Sequence, residues 1–192
     1  MWKKPLMQPV ALTPHAHTRA SAVHRVDARM HRDPDGTLAL TFGLTGPLSA
    51  LRIPPTGEPR RGHELWRHTC FEAFVARDGT TAYHELNLAP SREWAVYAFR
   101  VYRRGAPLDD ETLAPRIVVR RDADRLELDA LVPLGRLSPQ HRHEPLRVAL
   151  CAVVEERDGT LSYWALRHPP GRPDFHHPEG FALRLERADV AC

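Results

Sequence analysis

The chain has 192 residues and a formal net charge of +3, and 42% of its residues are hydrophobic, which fits one globular domain with a core of its own. Arginine alternates with acidic residues along the chain, whereas nucleic-acid-binding proteins cluster basic residues on one face or helix. No nucleic-acid partner is therefore expected. The three cysteines, Cys70, Cys151 and Cys192, lack CxxC spacing, which argues against a disulfide framework and a cysteine zinc site.

The N-terminal segment shows no export signal, because three prolines interrupt its apolar residues before position 15. No stretch approaches the ~20 consecutive apolar residues of a membrane span. We therefore expect a cytoplasmic protein with no membrane partner. We assign residues 1–18 to an N-terminal extension and residues 19–188 to a single domain.

Strand patterns follow one another along that domain. Alternating apolar and polar residues predict strands from Ala20 to Met30 and at Leu38–Leu44, and the same pattern returns between the turns of the C-terminal half. Long helical periodicity is absent. About ten short strands separated by turn signals predict an all-β fold, a single antiparallel β-sandwich of the jelly-roll or immunoglobulin-like kind.

The stretch Glu64–Arg103 holds two of the four tryptophans, three of the four tyrosines and three of the six phenylalanines. It contains the dipeptide Asp78-Gly79 between two extended runs, which predicts a hairpin closed by a type I′ turn. Counting outward from that turn places Glu72 directly opposite Glu85, on one face. The core of the hairpin is expected to contain Phe71, Phe74 and Leu86.

A family resemblance rests on residues of this stretch, in the segments LWRHTCFEAFV and YHELNLAPSREW. The matching residues are Trp66, Glu72, Tyr83, Glu85, Asn87, Pro90, Ser91 and Trp94. The pattern resembles the bacterial DOMON-like domain proteins, relatives of the family 9 carbohydrate-binding modules, and the resemblance runs from about Ala20 to Leu185. It implies a β-sandwich that binds a small ligand, either a sugar or haem, without enzymatic activity.

A sugar site needs flat aromatic side chains and nearby polar groups, because aromatic rings pack against the apolar face of a pyranose. The aromatic residues proposed for it are Trp66, Tyr83, Trp94, Tyr97 and Trp164. The polar residues proposed for it are Glu72, Glu85, Asn87, Arg103, His176 and His177. The alternative is that the aromatic residues form the core and that the carboxylates pair with arginines.

Glu72 and Glu85 could also act as the acid and the nucleophile or base of a glycosidase, which needs two carboxyl groups. Like charges opposed across a strand pair are destabilising without a cation between them. We therefore expect a shared arginine partner for the two glutamates and no catalysis.

The twelve histidines form local pairs, such as His15 with His17 and His141 with His143. A zinc site needs three or four convergent ligands, and no spacing motif supplies them, so no metal is expected. The haem-binding branch of the resemblance implies an axial Met and a late His, which would be Met30 with His176 or His177. The alternative is that these histidines hold a proline-rich loop in place.

The sequence thus favours a non-enzymatic module that binds a saccharide-type ligand and has no cofactor. Two alternatives remain open, a haem-binding domain and a protein–protein interaction module that self-associates or binds another protein through an exposed edge or patch.

Overall fold

The computed structural model describes residues 8–18 and 22–186 and is mostly β. Its strands are β1 Val10–Pro14, β2 Arg25–Arg32, β3 Thr37–Thr45, β4 Arg60–Arg61, β5 Cys70–Arg77, β6 Tyr83–Leu88, β7 Glu93–Val101, β8 Arg104–Pro107, β9 Arg116–Arg121, β10 Arg125–Pro133, β11 Leu146–Glu155, β12 Leu161–Ala165 and β13 Leu183–Leu185. One helical turn, α1, spans Leu134–Leu137. Single 3₁₀ turns lie at Leu48–Ala50, Leu65–Arg67, Glu111–Leu113, Pro139–Arg142 and Pro178–Gly180.

The strands form one curled mixed sheet in the order β4-β7-β6-β5-β11-β12-β1-β2-β3-β10-β9, with β13 beside β11 and β8 beside β7. The pair β4–β7 is parallel, whereas the other paired strands are antiparallel. A mostly β fold is thus confirmed, but the strands form one continuous sheet instead of two separate antiparallel sheets.

Strand β1 joins the two halves of the sheet. Its residue Thr13 pairs with Ala165 of β12, and its residue Val10 pairs with Ala28 of β2. The segment expected to be an N-terminal extension therefore contributes a strand to the domain. The described residues do not include 1–7, 19–21 and 187–192. The predicted domain limits, residues 19 and 188, fall among these.

The main core lies where the curled sheet faces itself. Leu38, Leu40 and Leu44 of β3 are buried with alternate residues of β10, as the period of two predicts. Phe42 of β3 stacks on Phe71 of β5 with ring centroids 5.0 Å apart, so the two halves pack across the fold. Each fully buried side chain of this kind stabilises the fold by about 1.5–3 kcal/mol.

A second, smaller apolar cluster lies on the opposite face of β5, β6 and β11. It consists of Phe74, Ala76, Tyr83, Ala149, Cys151 and Ala165, with Phe99, Phe175 and Phe181 packed against it. The proline-rich segment 166–182 covers this face and supplies Phe175 and Phe181. Strands β5 and β11 are consequently buried on both faces.

Candidate ligand-binding site

A cavity of about 430 Å³ opens on the sheet face that carries the smaller cluster. It is lined by Trp66, Arg67, Glu72, Glu85, Tyr97, Phe99, Arg103, Val153, Leu161, Tyr163, Pro173, Phe175 and His176. Strands β5, β6, β7, β11 and β12 supply its floor and two walls. The 3₁₀ turn at Leu65–Arg67 and the proline-rich segment contribute the remaining lining residues. Hereafter this cavity is called the aromatic pocket.

The register of the β5–β6 hairpin differs from the predicted one by two residues. Glu72 pairs with Asn87, and Glu85 pairs with Phe74, so the expected direct opposition of the glutamates is wrong. A type I′ turn requires positive φ at both central residues, but here only Gly79 has a positive φ, and five residues separate the strands. A shift of two residues preserves the face, and both glutamates still line the pocket.

The first wall is formed by Trp66 and Tyr97, whose ring centroids are 5.6 Å apart in an edge-to-face arrangement. Trp66 is 37% exposed and sits in the 3₁₀ turn after Glu64, whose φ of 49° is left-handed. The structure therefore places the partly exposed ring of Trp66 in the lining of the cavity.

The facing wall is formed by Tyr163 of β12 and Phe175 of the proline-rich segment, with ring centroids 6.1 Å apart. Between the walls, Phe99 of β7 stacks on the buried ring of Tyr83 at 4.7 Å. Sequence reasoning missed Phe99, Tyr163, Phe175 and Arg67 as lining residues. Alternation could have identified Phe99, because it lies two residues after Tyr97 and therefore on the same face of β7.

Glu85 lies in the floor and is 5% exposed. The side-chain amide of Asn87 donates to its Oε1 at 2.6 Å, and His176 Nε2 lies 3.7 Å from its Oε2. Burial raises the pKa of Glu85 to about 7, against the opposing effects of the Asn87 hydrogen bond and the Arg103 charge. This carboxyl group is therefore partly protonated at neutral pH.

Glu72 lies beside it and is 3% exposed. Burial, followed by the nearby charge of Glu85, raises the pKa of Glu72 well above its usual range. Its Oε1 is buried and accepts or donates no hydrogen bond within residues 8–18 and 22–186. A buried polar atom is normally paired, so this unpaired carboxyl oxygen in the floor of a cavity is unusual.

A hydrogen-bonded chain positions the polar rim. The Tyr83 hydroxyl contacts His176 Nδ1 at 2.9 Å and accepts from the Arg103 backbone N–H at 3.1 Å. The Arg103 guanidinium pairs with Asp174 at 2.8 Å. Burial, then the positive charge of Arg103, lowers the pKa of His176 to about 4, so the imidazole beside Glu85 is neutral at pH 7.

Two of the tryptophans predicted to bind ligand belong to the main core. Trp94 is 1% exposed and Trp164 is 5% exposed, and both pack on the face of the sheet opposite the pocket. The Trp164 indole N–H donates to Ser162 Oγ. The assignment of Trp94 and Trp164 to the site is therefore wrong. Adjacent residues of a strand point to opposite faces, so Trp164 lies on the face opposite its neighbour Tyr163, which lines the pocket.

The prediction that the two glutamates share an arginine partner is also wrong. Among the described residues, no arginine or lysine forms an ion pair with Glu72 or Glu85, since Arg103 pairs with Asp174 and Arg67 pairs with Glu64. Asn87 is fully buried beneath the pocket and contacts Glu85 and the Cys70 thiol. It supports the floor of the pocket without lining it.

The residues considered for haem do not form an axial pair. Met30 is buried in the main core on β2. His177 accepts a hydrogen bond from the Glu179 backbone N–H at 3.3 Å and so caps the following 3₁₀ turn. His176 lies in the pocket, on the other side of the sheet from Met30. The expectation that Met30 and one of these histidines would form an axial pair for haem is therefore wrong.

The described parts of the chain contain no cluster of three or more His, Cys, Asp and Glu side chains suited to a metal ion. His15 is 4% exposed and stacks edge-on with His17 and His168. His141 packs against His84. Among the helices described, none is long and apolar enough to cross a membrane.

No family model and no curated protein matches this chain. Solved structures with a similar fold include a Bacteroides uniformis protein assigned to carbohydrate binding, with a TM-score of 0.67 and 17% identity over 93% of this chain and 84% of that one. A family 9 carbohydrate-binding module from Caldicellulosiruptor kristjanssonii, solved with glucose, has a TM-score of 0.56 and 10% identity over 94% and 86% of the two chains. Its complex with cellotriose has a TM-score of 0.54. At these identities the similarity shows the fold, and these structural neighbours are carbohydrate-binding proteins.

Proposed function

We propose that this protein is a non-enzymatic saccharide-binding domain of the DOMON-like type, related to the family 9 carbohydrate-binding modules, and that the aromatic pocket is its ligand site. The observation that carries the proposal is the pairing of aromatic walls with a buried polar floor in one cavity. Trp66 and Tyr97 form one wall, Tyr163 and Phe175 form the other, and the floor carries two carboxyl groups.

Each part of the pocket matches a chemical property of a pyranose. The ring C–H groups of a sugar form apolar faces that pack on aromatic side chains, and its hydroxyls need fixed hydrogen-bond partners. Glu72 Oε1 and the Glu85 carboxyl can accept from or donate to such hydroxyls, depending on their protonation. The cavity volume of about 430 Å³ falls within the range of small-molecule sites.

Binding is better supported than hydrolysis. A glycosidase of the usual kind uses one ionised carboxylate as nucleophile or base and one protonated carboxyl as acid. Burial disfavours the ionised form of both Glu72 and Glu85, and the rim cations that could restore it are paired elsewhere. The structural neighbours with glucose and cellotriose also agree with a binding role.

Replacing Trp66 by alanine should weaken the binding of glucose or cellotriose roughly tenfold, because the ligand loses one apolar wall. Trp66→Phe should retain most of the affinity, since it keeps a flat ring. Isothermal titration calorimetry on the three proteins measures the dissociation constants.

The matched control is Val118→Ala, which removes an apolar side chain of similar exposure, 39%, from β9 and should leave affinity unchanged. Equal affinity in Trp66→Ala and the wild type would place the sugar outside the aromatic pocket. The absence of heat with both sugars, at protein concentrations that detect millimolar binding, would exclude these ligands.

A further inference from the structure

The aromatic pocket holds two buried carboxyl groups without a protein cation to balance them. Glu72 and Glu85 are 3% and 5% exposed. Over residues 8–18 and 22–186, the one ion-pair partner within 4 Å of either is His176, whose Nε2 lies 3.7 Å from Glu85 Oε2. Because His176 is neutral at pH 7, it supplies no positive charge. Buried carboxylates are ordinarily paired with a cation or a metal.

The pair has unused hydrogen-bonding capacity in the floor of the pocket, at a buried oxygen of Glu72. Glu85 Oε1 already accepts from Asn87, whereas Glu72 Oε1 has no partner among the described residues. Both side chains line the cavity. A ligand group with several N–H donors and a positive charge would satisfy the unpaired oxygen and balance the pair.

The two arginines at the rim are each paired with a carboxylate other than Glu72 or Glu85. Arg67 Nε lies 2.8 Å from Glu64, and the Arg103 guanidinium lies 2.8 Å from Asp174. Each forms a neutral pair before a ligand arrives. Glu72 and Glu85 are therefore the lining residues whose charge no paired cation balances.

The walls add a second attraction for positive charge. Five aromatic rings line the cavity, those of Trp66, Tyr97, Phe99, Tyr163 and Phe175. The face of an aromatic ring attracts a cation within about 6 Å, and rings arranged as a cage recognise ammonium groups. Acidic groups in the floor and aromatic rings in the walls thus favour the same class of ligand.

We infer that the aromatic pocket selects a saccharide that carries a protonated amino group, an amino sugar, with the ammonium group bound at Glu72 and Glu85. This inference rests on the proposed function, since it names the class of sugar for the same site. The sugar ring packs between the aromatic walls while the ammonium group donates to the carboxylate oxygens. A neutral sugar of the same size lacks this charge-assisted contact.

Binding of the ammonium group ionises a carboxyl group. The carboxyl O–H bond breaks, its proton passes to the buffer, and the ligand keeps its own protons and charge. The other titratable and charged groups near the pair or at the pocket rim are Cys70, Cys151, Tyr83, Tyr97, His176, Arg67, Arg103 and, paired with Arg103, Asp174. The pKa values of the two thiols and two phenols are raised and that of His176 is lowered to about 4, so proton release at pH 7 comes from the glutamates.

The test compares glucosamine, glucose and N-acetylglucosamine by calorimetry at pH 7 in two buffers of different ionisation enthalpy. Glucosamine should bind roughly tenfold more tightly than the two neutral sugars and release protons to the buffer. Glucose should bind without that release. Glu72→Gln and Glu85→Gln should each lower the glucosamine-to-glucose affinity ratio towards one, and thermal melts of both variants check that they remain folded.

Equal affinity for glucosamine and glucose in the wild type would overturn the inference and leave the proposed function standing. A glucosamine preference that survives in both glutamine variants would overturn the assignment to Glu72 and Glu85. Failure of all three sugars to bind would overturn the inference together with the proposed function for these ligands.

Discussion

Replacing Trp94 by alanine should lower the free energy of unfolding by about 3–5 kcal/mol, the usual cost of deleting a large buried aromatic side chain. Trp94 is 1% exposed and packs in the main core on β7. The cavity left behind cannot be filled by solvent without exposing apolar surface. Urea denaturation of the wild type and the variant measures the difference.

Trp66→Ala is the matched comparison, because it deletes the same side chain from the pocket rim. Its effect on stability should be about 1 kcal/mol or less. The two substitutions thus separate folding from binding within one stretch of the chain. A Trp94→Ala variant as stable as the wild type would contradict the burial of this residue.

Replacing Glu85 by glutamine should make the protein more stable than the wild type at pH 8, while the two should be nearly equal at pH 5. The pKa of Glu85 is raised from 4.5 in the unfolded chain to about 7 in the folded protein. The contribution of Glu85 to the free energy of unfolding is therefore complete below pH 4.5. It is lost as the pH rises through 7, because the buried side chain then ionises. The stability difference between variant and wild type should grow by roughly 2 kcal/mol between pH 5 and pH 8.

Denaturant titrations at the two pH values test this expectation. The lowered pKa values of His15, His84 and His141 are set by burial and by groups other than Glu85, so these histidines destabilise both proteins alike at pH 5 and cancel in the comparison. Glu58→Gln, at an exposed position of the loop before β4, is a suitable control for the loss of a glutamate charge. A constant difference between Glu85→Gln and the wild type at both pH values would show that Glu85 is not held in a raised-pKa environment.

The sequence was sufficient to predict a mostly β fold and the face on which the two glutamates lie. Alternation alone fixes which residues of a strand share a face, and an error of two in the hairpin register leaves that face unchanged. The register itself was wrong because Asp78-Gly79 also suits longer turns. With five residues between β5 and β6, Glu72 pairs with Asn87.

The alternation of apolar and polar residues cannot show which face of a strand packs in the core when both faces of that strand are buried. Strand β5 has seven consecutive buried residues, so the apolar pattern gives no preferred side. The odd spacing of Trp94 and Tyr97 does place them on opposite faces of β7, and this signal argues against a site that contains both. Phe175 reaches the pocket through long-range packing of the proline-rich segment, which no local pattern predicts.

The carboxyl pair shows a further limit of reasoning from sequence. Arginines are plentiful near Glu72 and Glu85 along the chain, and pairing with one of them was the simplest expectation. In the structure Arg103 has a positive φ of 55° and pairs with Asp174 from the proline-rich segment. Arg103 is therefore paired with a partner distant in sequence and not with either glutamate.

The most direct test of saccharide binding in the aromatic pocket is a two-dimensional NMR titration with cellotriose that follows the tryptophan indole N–H signals, with the Trp66 signal assigned from the Trp66→Phe variant. A saturable shift of the Trp66 indole is expected, with the signals of the core residues Trp94 and Trp164 nearly unchanged. An unchanged Trp66 signal under saturating sugar, or larger shifts at Trp94 and Trp164 than at Trp66, would contradict the assignment of the aromatic pocket as the saccharide site.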